Sequence, residues 1–178
     1  MATRPTSDRL RETLFNVLAP RIERSVFLDL YAGSGAVGLE ALSRGASHVT
    51  FVERAPAALK VMRTNLERLG MAKGFKVVQA SVASYLCKPR AGSQFDLVFL
   101  DPPYDAAREY ELALSLLGGT EQSLLAHDAL VIAEHRRKEK LADNYGNLAR
   151  TRLLEQGDAA LSFYAVSNTV QEGMDGTR

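Results

Sequence analysis

The chain has one cysteine, Cys87, no tryptophan, and no apolar run approaching the roughly 20 residues of a membrane span. A lone cysteine closes no intramolecular disulfide, which excludes a disulfide-stapled scaffold and suits a reducing compartment. The opening MATRPTSDRLRE lacks the apolar stretch of a secretory signal. Neither sign of charge is in excess: 22 Lys and Arg face 21 Asp and Glu, a net charge of +1, so composition does not by itself announce nucleic-acid binding. His48, His127 and His135 are dispersed, with no cysteine or carboxylate spacing that builds a metal site, and no metal is expected. These absences imply a cytoplasmic protein with no membrane attachment. What is present, 178 residues of which 46% are hydrophobic, suffices for one domain with a core that needs no staple. That domain is expected over residues 1–170, with a helical segment in 1–24 and a polar, frayed tail at 171–178.

Leu10, Leu14, Val17 and Leu18 recur at helical spacing within 6–19, with Thr6, Ser7 and Asp8 as candidate N-caps and Pro20 as a stop. VFLDLY (26–31) reads as a strand, AGSGAVG as a turn and LEALSRG as a helix. The unit repeats through HVTFVE and APAALKVMRTNLERLG, then FKVVQ and VASYLCK, then FDLVFL and a helix near Arg108–Leu117. ALVIAEH is a fifth strand. LARTRLLEQ and ALSFYAVS, separated only by Gly157-Asp158-Ala159, form an antiparallel hairpin. The class is α/β: a mostly parallel sheet with helices on both faces and an antiparallel C-terminal hairpin.

Three carboxylates fall at the C-terminal ends of parallel strands, Asp29 on the first, Glu53 on the second and Asp101 on the fourth, the edge where open α/β sheets bind ligands. Gly33-Ser34-Gly35-Ala36-Val37-Gly38 has the form GxGxxG, which brings backbone and helix N-terminus close to a ligand. Glu53 stands 20 residues beyond Gly33, where an acid accepts from ribose hydroxyls. Both a nicotinamide dinucleotide and S-adenosyl-L-methionine satisfy that spacing. Asp29 separates them: a pyrophosphate gains little from a neighbouring carboxylate, whereas an ammonium and a sulfonium are attracted to one. The alternative for Asp29 is a cap on the following turn.

Asp101-Pro102-Pro103-Tyr104 is the most specific feature. Two prolines fix φ and remove donors, leaving a rigid arc of carbonyls between a carboxylate and an aromatic ring. Such an arc accepts hydrogen bonds from an NH2 group. If Asp101 and the Pro102 carbonyl take the two protons of a nucleobase amine, its nitrogen can pyramidalise and present its lone pair for methyl transfer while Tyr104 stacks on the base. The alternative is a proline-rich connection with a half-exposed tyrosine.

DLYAGSGAVGLEALSRGA, VTFVER, LDPPY, RPTSDRLRETLFNVL and the closing QGDAALSFY resemble the RsmD-type 16S rRNA (guanine-N2)-methyltransferases over nearly the whole chain. DPPY alone is shared by several amino-group methyltransferases; the RPTxDRxRExLFN block narrows the match. The resemblance implies the Rossmann-like, seven-stranded sheet of S-adenosyl-L-methionine-dependent methyltransferases and a monomer acting on 16S rRNA or the small ribosomal subunit. It implies Asp29, Gly33 and Gly35 near the methionine part of the cofactor and Glu53 on the ribose. Tyr31, Ala32, Arg54 and Asp101 complete the cofactor set, and Asp101, Pro102, Pro103 and Tyr104 meet the target amine. Two departures stand out. Family members usually carry a glycine- and basic-rich hairpin before RPT, while this sequence reaches Arg4-Pro5 almost at once, a difference on the RNA-contacting surface. Related enzymes often place an acid after the third strand on the adenine amine, where this chain has Ser81.

Arg4, Arg9 and Arg11 flank the opening helix as candidate RNA contacts, against a merely solvated face. Six basic residues between Arg136 and Arg152, against Glu139 and Asp143, could steer RNA or form a solvated loop. Cys87 is expected to pack, Phe51 and Phe99 to lie in the core, and Tyr164 in the core or at its rim. A DNA adenine-N6 methyltransferase would use the same DPPY arc but needs a target-recognition domain that this length does not hold. A nicotinamide oxidoreductase leaves DPPY unexplained. A non-catalytic binding module leaves Asp101 without a task.

Overall fold

The computed structural model describes residues 5–88, 94–103, 107–119 and 124–167. Leu10, Leu14, Leu18 and Ile22 repeat every fourth position, and α1 (Pro5–Ile22) turns that row, together with Phe15, into the protein, each at most 4% exposed. Pro20 does not stop this helix. It lies exposed in the last turn, where the missing N–H costs a single intrahelical bond, and burial of Ile22 beyond it holds the chain helical. The Arg21 guanidinium donates to the Asp128 carbonyl and fixes the same end. Thr6, Ser7 and Asp8, the candidate N-caps, lie within α1 as described rather than ahead of it. Asp8 pairs instead with Arg11 at 3.0 Å.

The remaining elements are β1 (Val26–Leu30), α2 (Ala36–Ser43), β2 (His48–Glu53), α3 (Pro56–Arg68), β3 (Phe75–Gln79), α4 (Val82–Leu86), β4 (Phe95–Leu100) and α5 (Ala107–Gly118). They are followed by β5 (Leu125–Arg136), β6 (Asn144–Tyr145), β7 (Leu148–Gln156) and β8 (Ala159–Val166). The sheet order is β3-β2-β1-β4-β5-β8-β7-β6. β1 to β5 pair in parallel; β8 runs antiparallel between β5 and β7, as the short Gly157-Asp158 connection requires. Among the described residues the strands number eight rather than seven because Asn144–Tyr145 adds a two-residue edge to β7, a site where the Asn147 N–H donates to the Gly118 carbonyl at 2.8 Å.

Alternation along the strands divides the core in two. Leu28, Leu30, Val52, Val98 and Leu100 face α4 and α5, whereas Phe27, Val49, Phe51, Leu97 and Phe99 face α1, α2 and α3. Phe51, Phe99 and Tyr164 are core residues. Cys87 is not: it follows α4 and is exposed. His135 is buried and structural, its ring nitrogens 2.9 Å from the Arg136 carbonyl and 2.8 Å from the Ser162 hydroxyl. No helix among the described residues is long and apolar enough to cross a membrane.

Candidate active site at the carboxyl edge of the sheet

The strand order reverses between β1 and β4, and in open α/β sheets ligands bind beyond the strand ends at such a switch point. Asp29 on β1 and Asp101, just past β4, flank it. Asp29 is 2% exposed, and its Oδ2 accepts the Gly38 N–H at 2.9 Å. Helix α2 begins after Gly35, which sits at φ +81° and has no side chain to cap with, so a carboxylate from the neighbouring strand satisfies the donor that the helix terminus leaves open. Asp29 therefore does cap the turn that follows it. Burial raises its pKa, the Gly38 bond opposes this, and the negative fields of Asp101 and Glu53 add to the rise, which reaches about 7. A carboxyl in that state, with one oxygen free of a described hydrogen bond, is poised to ionise when a cation arrives.

Glu53 is half-buried at the end of β2 and holds the glycine turn. Its Oε2 accepts the Gly33 N–H at 2.9 Å, and its Oε1 accepts from Arg54 and Ala55, both at 2.8 Å. One lone pair of Oε2 stays available for a hydroxyl. The turn is pinned further by the Ala32 N–H on the Val52 carbonyl (3.0 Å), the Gly35 N–H on the Ala32 carbonyl (2.8 Å) and the Asn65 amide on the Ser34 carbonyl (3.1 Å). Tyr31 enters it at φ +58°, a region that disfavours side chains, and its hydroxyl donates to Glu109 at 2.7 Å. Desolvation, then Glu109, raises the Tyr31 pKa and keeps it a donor. Gly38 permits α2 to lie on the sheet: a Cβ there would stand 2.3 Å from Phe51 Cε1. A buried carboxyl beside a backbone cradle, with a second acid 20 residues beyond Gly33, fits a nucleoside with a cationic tail, as S-adenosyl-L-methionine is.

Asp101 is reached by solvent, yet the protein around it strips enough hydration to raise its pKa. Pro102 is buried and Pro103 exposed, so the chain leaves β4 with two residues that donate nothing. Tyr104 and Arg4 lie outside the described residues, as does the segment 171–178. Ser81 stands at the end of β3, where its hydroxyl accepts the Ser84 N–H at 3.1 Å and caps α4. Arg54 and Arg9 are exposed.

Two groups at this edge escape the sequence reading. Glu134, on β5, continues the register that pairs Leu100 with Ala133 and so neighbours Asp101. Its pKa is raised by burial, then by Asp101, and lowered by Arg11, which places Arg11 close to this acid as well as on Asp8. The signal was available: Glu134 ends an apolar run in the same way as Asp101. Glu109, the partner of Tyr31, carried no such signal. The basic segment is partly spent within the fold, since Arg150 pairs with Asp143, Arg137 with Glu155 at 3.3 Å, and Arg152 lies 6.0 Å from the Phe163 ring centre. Among the described residues no group of three or more His, Cys, Asp or Glu is arranged to hold a metal.

The family model described as conserved hypothetical protein 95 matches residues 1–165. Ribosomal RNA small subunit methyltransferase D of Haemophilus influenzae is 41% identical over 139 residues, 78% of this chain and 70% of its own length. The solved structure of yhhF from Escherichia coli superposes with a TM-score of 0.81 at 36% identity, over 93% of this chain and 89% of that one. An RNA methyltransferase from Salinibacter ruber, in complex with S-adenosyl-L-homocysteine, shares the fold with a TM-score of 0.65 at 19% identity, over 98% of this chain and 99% of that one. By its match to the family model and its identity with these relatives, the chain belongs to the RsmD-type methyltransferases.

Proposed function

We propose that this protein is an rRNA methyltransferase that transfers a methyl group to the exocyclic N2 amine of a guanine in the 16S rRNA of the small ribosomal subunit, as a cytoplasmic monomer. S-adenosyl-L-methionine is its cofactor and, when bound, supplies a methyl group on a sulfonium. Asp29 holds negative charge for the methionine end and Glu53 accepts from the ribose. Tyr31, Ala32, Gly33 and Gly35 supply the turn; Arg54 and Ser81 border the nucleoside. Asp101 and the Pro102 carbonyl accept the two protons of the amine, turning its lone pair out of the ring, and Asp101 is the residue positioned to take the proton that the nitrogen must release. Pro103 keeps the arc rigid, and Tyr104 stacks on the base. Arg4, Arg9 and Arg11 contact RNA phosphates.

The observation that carries this reading is the partly desolvated Asp101-Pro102-Pro103 arc beside the Asp29 and Glu53 turn, in a chain of this family. The test is methyl transfer from labelled S-adenosyl-L-methionine to small subunits from a strain lacking the modification, followed by nucleoside analysis. Label should appear as N2-methylguanine, and Asp101→Ala should abolish at least about 100-fold of the rate while retaining cofactor binding. Label on DNA adenine, or none on subunits or free RNA despite cofactor binding, overturns the reading.

A further inference from the structure

The four acids of the edge divide into two kinds. Asp29 accepts one backbone N–H and Glu53 accepts three. Asp101 and Glu134 accept none from the described residues. Leu100 pairs with Ala133 at the end of β4, so Asp101, the first residue past that strand, and Glu134, on β5, come one position beyond the last pair, where strand spacing is about 4.8 Å, and the charge of Asp101 acts on Glu134. Phe99 and Ile132 face the α1 side and Leu100 and Ala133 face away, so the next residues, Asp101 and Glu134, both return to the α1 side. Each is partly desolvated, and Asp101 raises the pKa of Glu134 further. Water reaches exposed Asp101 and half-buried Glu134, so a base that displaces that water is favoured only where it returns donors in its place. Arg11 is close enough to act on Glu134, and one of its five donors goes to Asp8.

The donors that match are fixed by chemistry. The pairing edge of guanine carries the N2 amine beside N1–H, a row of donors, whereas adenine sets its amine beside N1, an acceptor whose lone pair a carboxylate repels. We propose that Glu134 is a specificity-determining residue that accepts N1–H of the target guanine while Asp101 takes the adjacent N2 amine. This rests on the guanine-N2 reading above and names the group that would choose the base.

The test compares guanine with 2-aminopurine, which keeps the 2-amine but has a lone pair at N1. Wild-type protein first locates the labelled guanine; small-subunit RNA is then assembled with either base at that position. Assayed above pH 8, where Glu134, whose pKa burial and then Asp101 raise to about 8, is ionised and can only accept, wild type should favour guanine by at least about tenfold in kcat/KM. Glu134→Gln, whose carboxamide can donate to N1 of 2-aminopurine, should narrow that preference about tenfold or more with cofactor affinity unchanged. A variant that slows both substrates equally, or keeps the wild-type ratio, overturns the proposal, as does wild type that uses both bases equally. If Glu134→Gln does not fold, Glu134→Asp keeps the acceptor and should keep the ratio; a ratio that collapses there overturns the proposal too. Wild type that labels no guanine fails at the first step and takes the underlying reading down with the pairing.

Discussion

Replacing Asp29 by Asn isolates what a buried acid costs this fold. The Asp29 pKa rises from 3.8 to about 7, so between those values the folded protein holds a proton that the unfolded chain has released. Stability therefore falls as pH rises across that window, and the loss is complete above about 7. A shift of about three units at about 1.36 kcal/mol each gives a ceiling of about 4 kcal/mol. An Asn can still accept the Gly38 N–H through its carbonyl oxygen, so the cap survives while the charge is removed. Denaturant unfolding of both proteins without ligand, from acid to mildly alkaline pH, should show Asp29→Asn gaining on wild type through the acid range and holding a constant advantage above neutrality. The proposed role adds the opposite trend for ligand: wild-type affinity for S-adenosyl-L-methionine should rise as Asp29 ionises, and the variant's should be weaker and flatter. Stability curves that stay parallel, or a wild type that gains on the variant as pH rises, would refute the electrostatic argument.

Two further substitutions separate packing from binding. Gly38→Ala forces a Cβ to 2.3 Å from Phe51 Cε1 and 2.9 Å from Val49 Cγ1, so α2 must move off the sheet; a loss of about 1–3 kcal/mol in denaturant unfolding is expected, and an unchanged midpoint would show that the contact yields freely. Glu53→Ala strands the N–H groups of Gly33, Arg54 and Ala55, but water reaches this half-buried site, so the stability loss should stay near about 1 kcal/mol while calorimetry shows cofactor affinity falling by about tenfold or more.

The parts of the site written in local spacing were legible. Glu53 and Gly33, 20 residues apart, do meet at 2.9 Å, because a strand, a turn, a helix and a second strand leave the chain little choice. Asp29 and Asp101 were likewise found from apolar runs that end beside an acid. Glu134 obeys the same rule, but its importance comes from standing beside Asp101, and that depends on the register of β4 on β5, a non-local pairing. Pro20 shows local propensity losing to burial: the helix continues because Ile22 has a core to reach. The two-residue β6 depends on α5 crossing the turn after it, which no local pattern encodes. Arg11 read as a surface cation, and only the docking of α1 on the acid-bearing face brings it within range of Glu134.

The two kinds of carboxylate also explain why a fold would keep four acids at one edge. Asp29 stitches β1 to α2, and Glu53 stitches β2 to the glycine turn, so backbone N–H groups hold this half of the site in place before any ligand binds. A cavity that must orient a reactive cation gains from such fixed dipoles, because no reorganisation is needed at the moment of reaction. Asp101 and Glu134 receive no such support from the described residues; partial desolvation raises the pKa of both, and water reaches both in the free protein. In the proposed reaction that water gives way to the amine and the ring N–H of the target base. This half of the edge is left without backbone donors, so its acceptors are the groups that a base with adjacent donors can satisfy and a base with an acceptor there cannot.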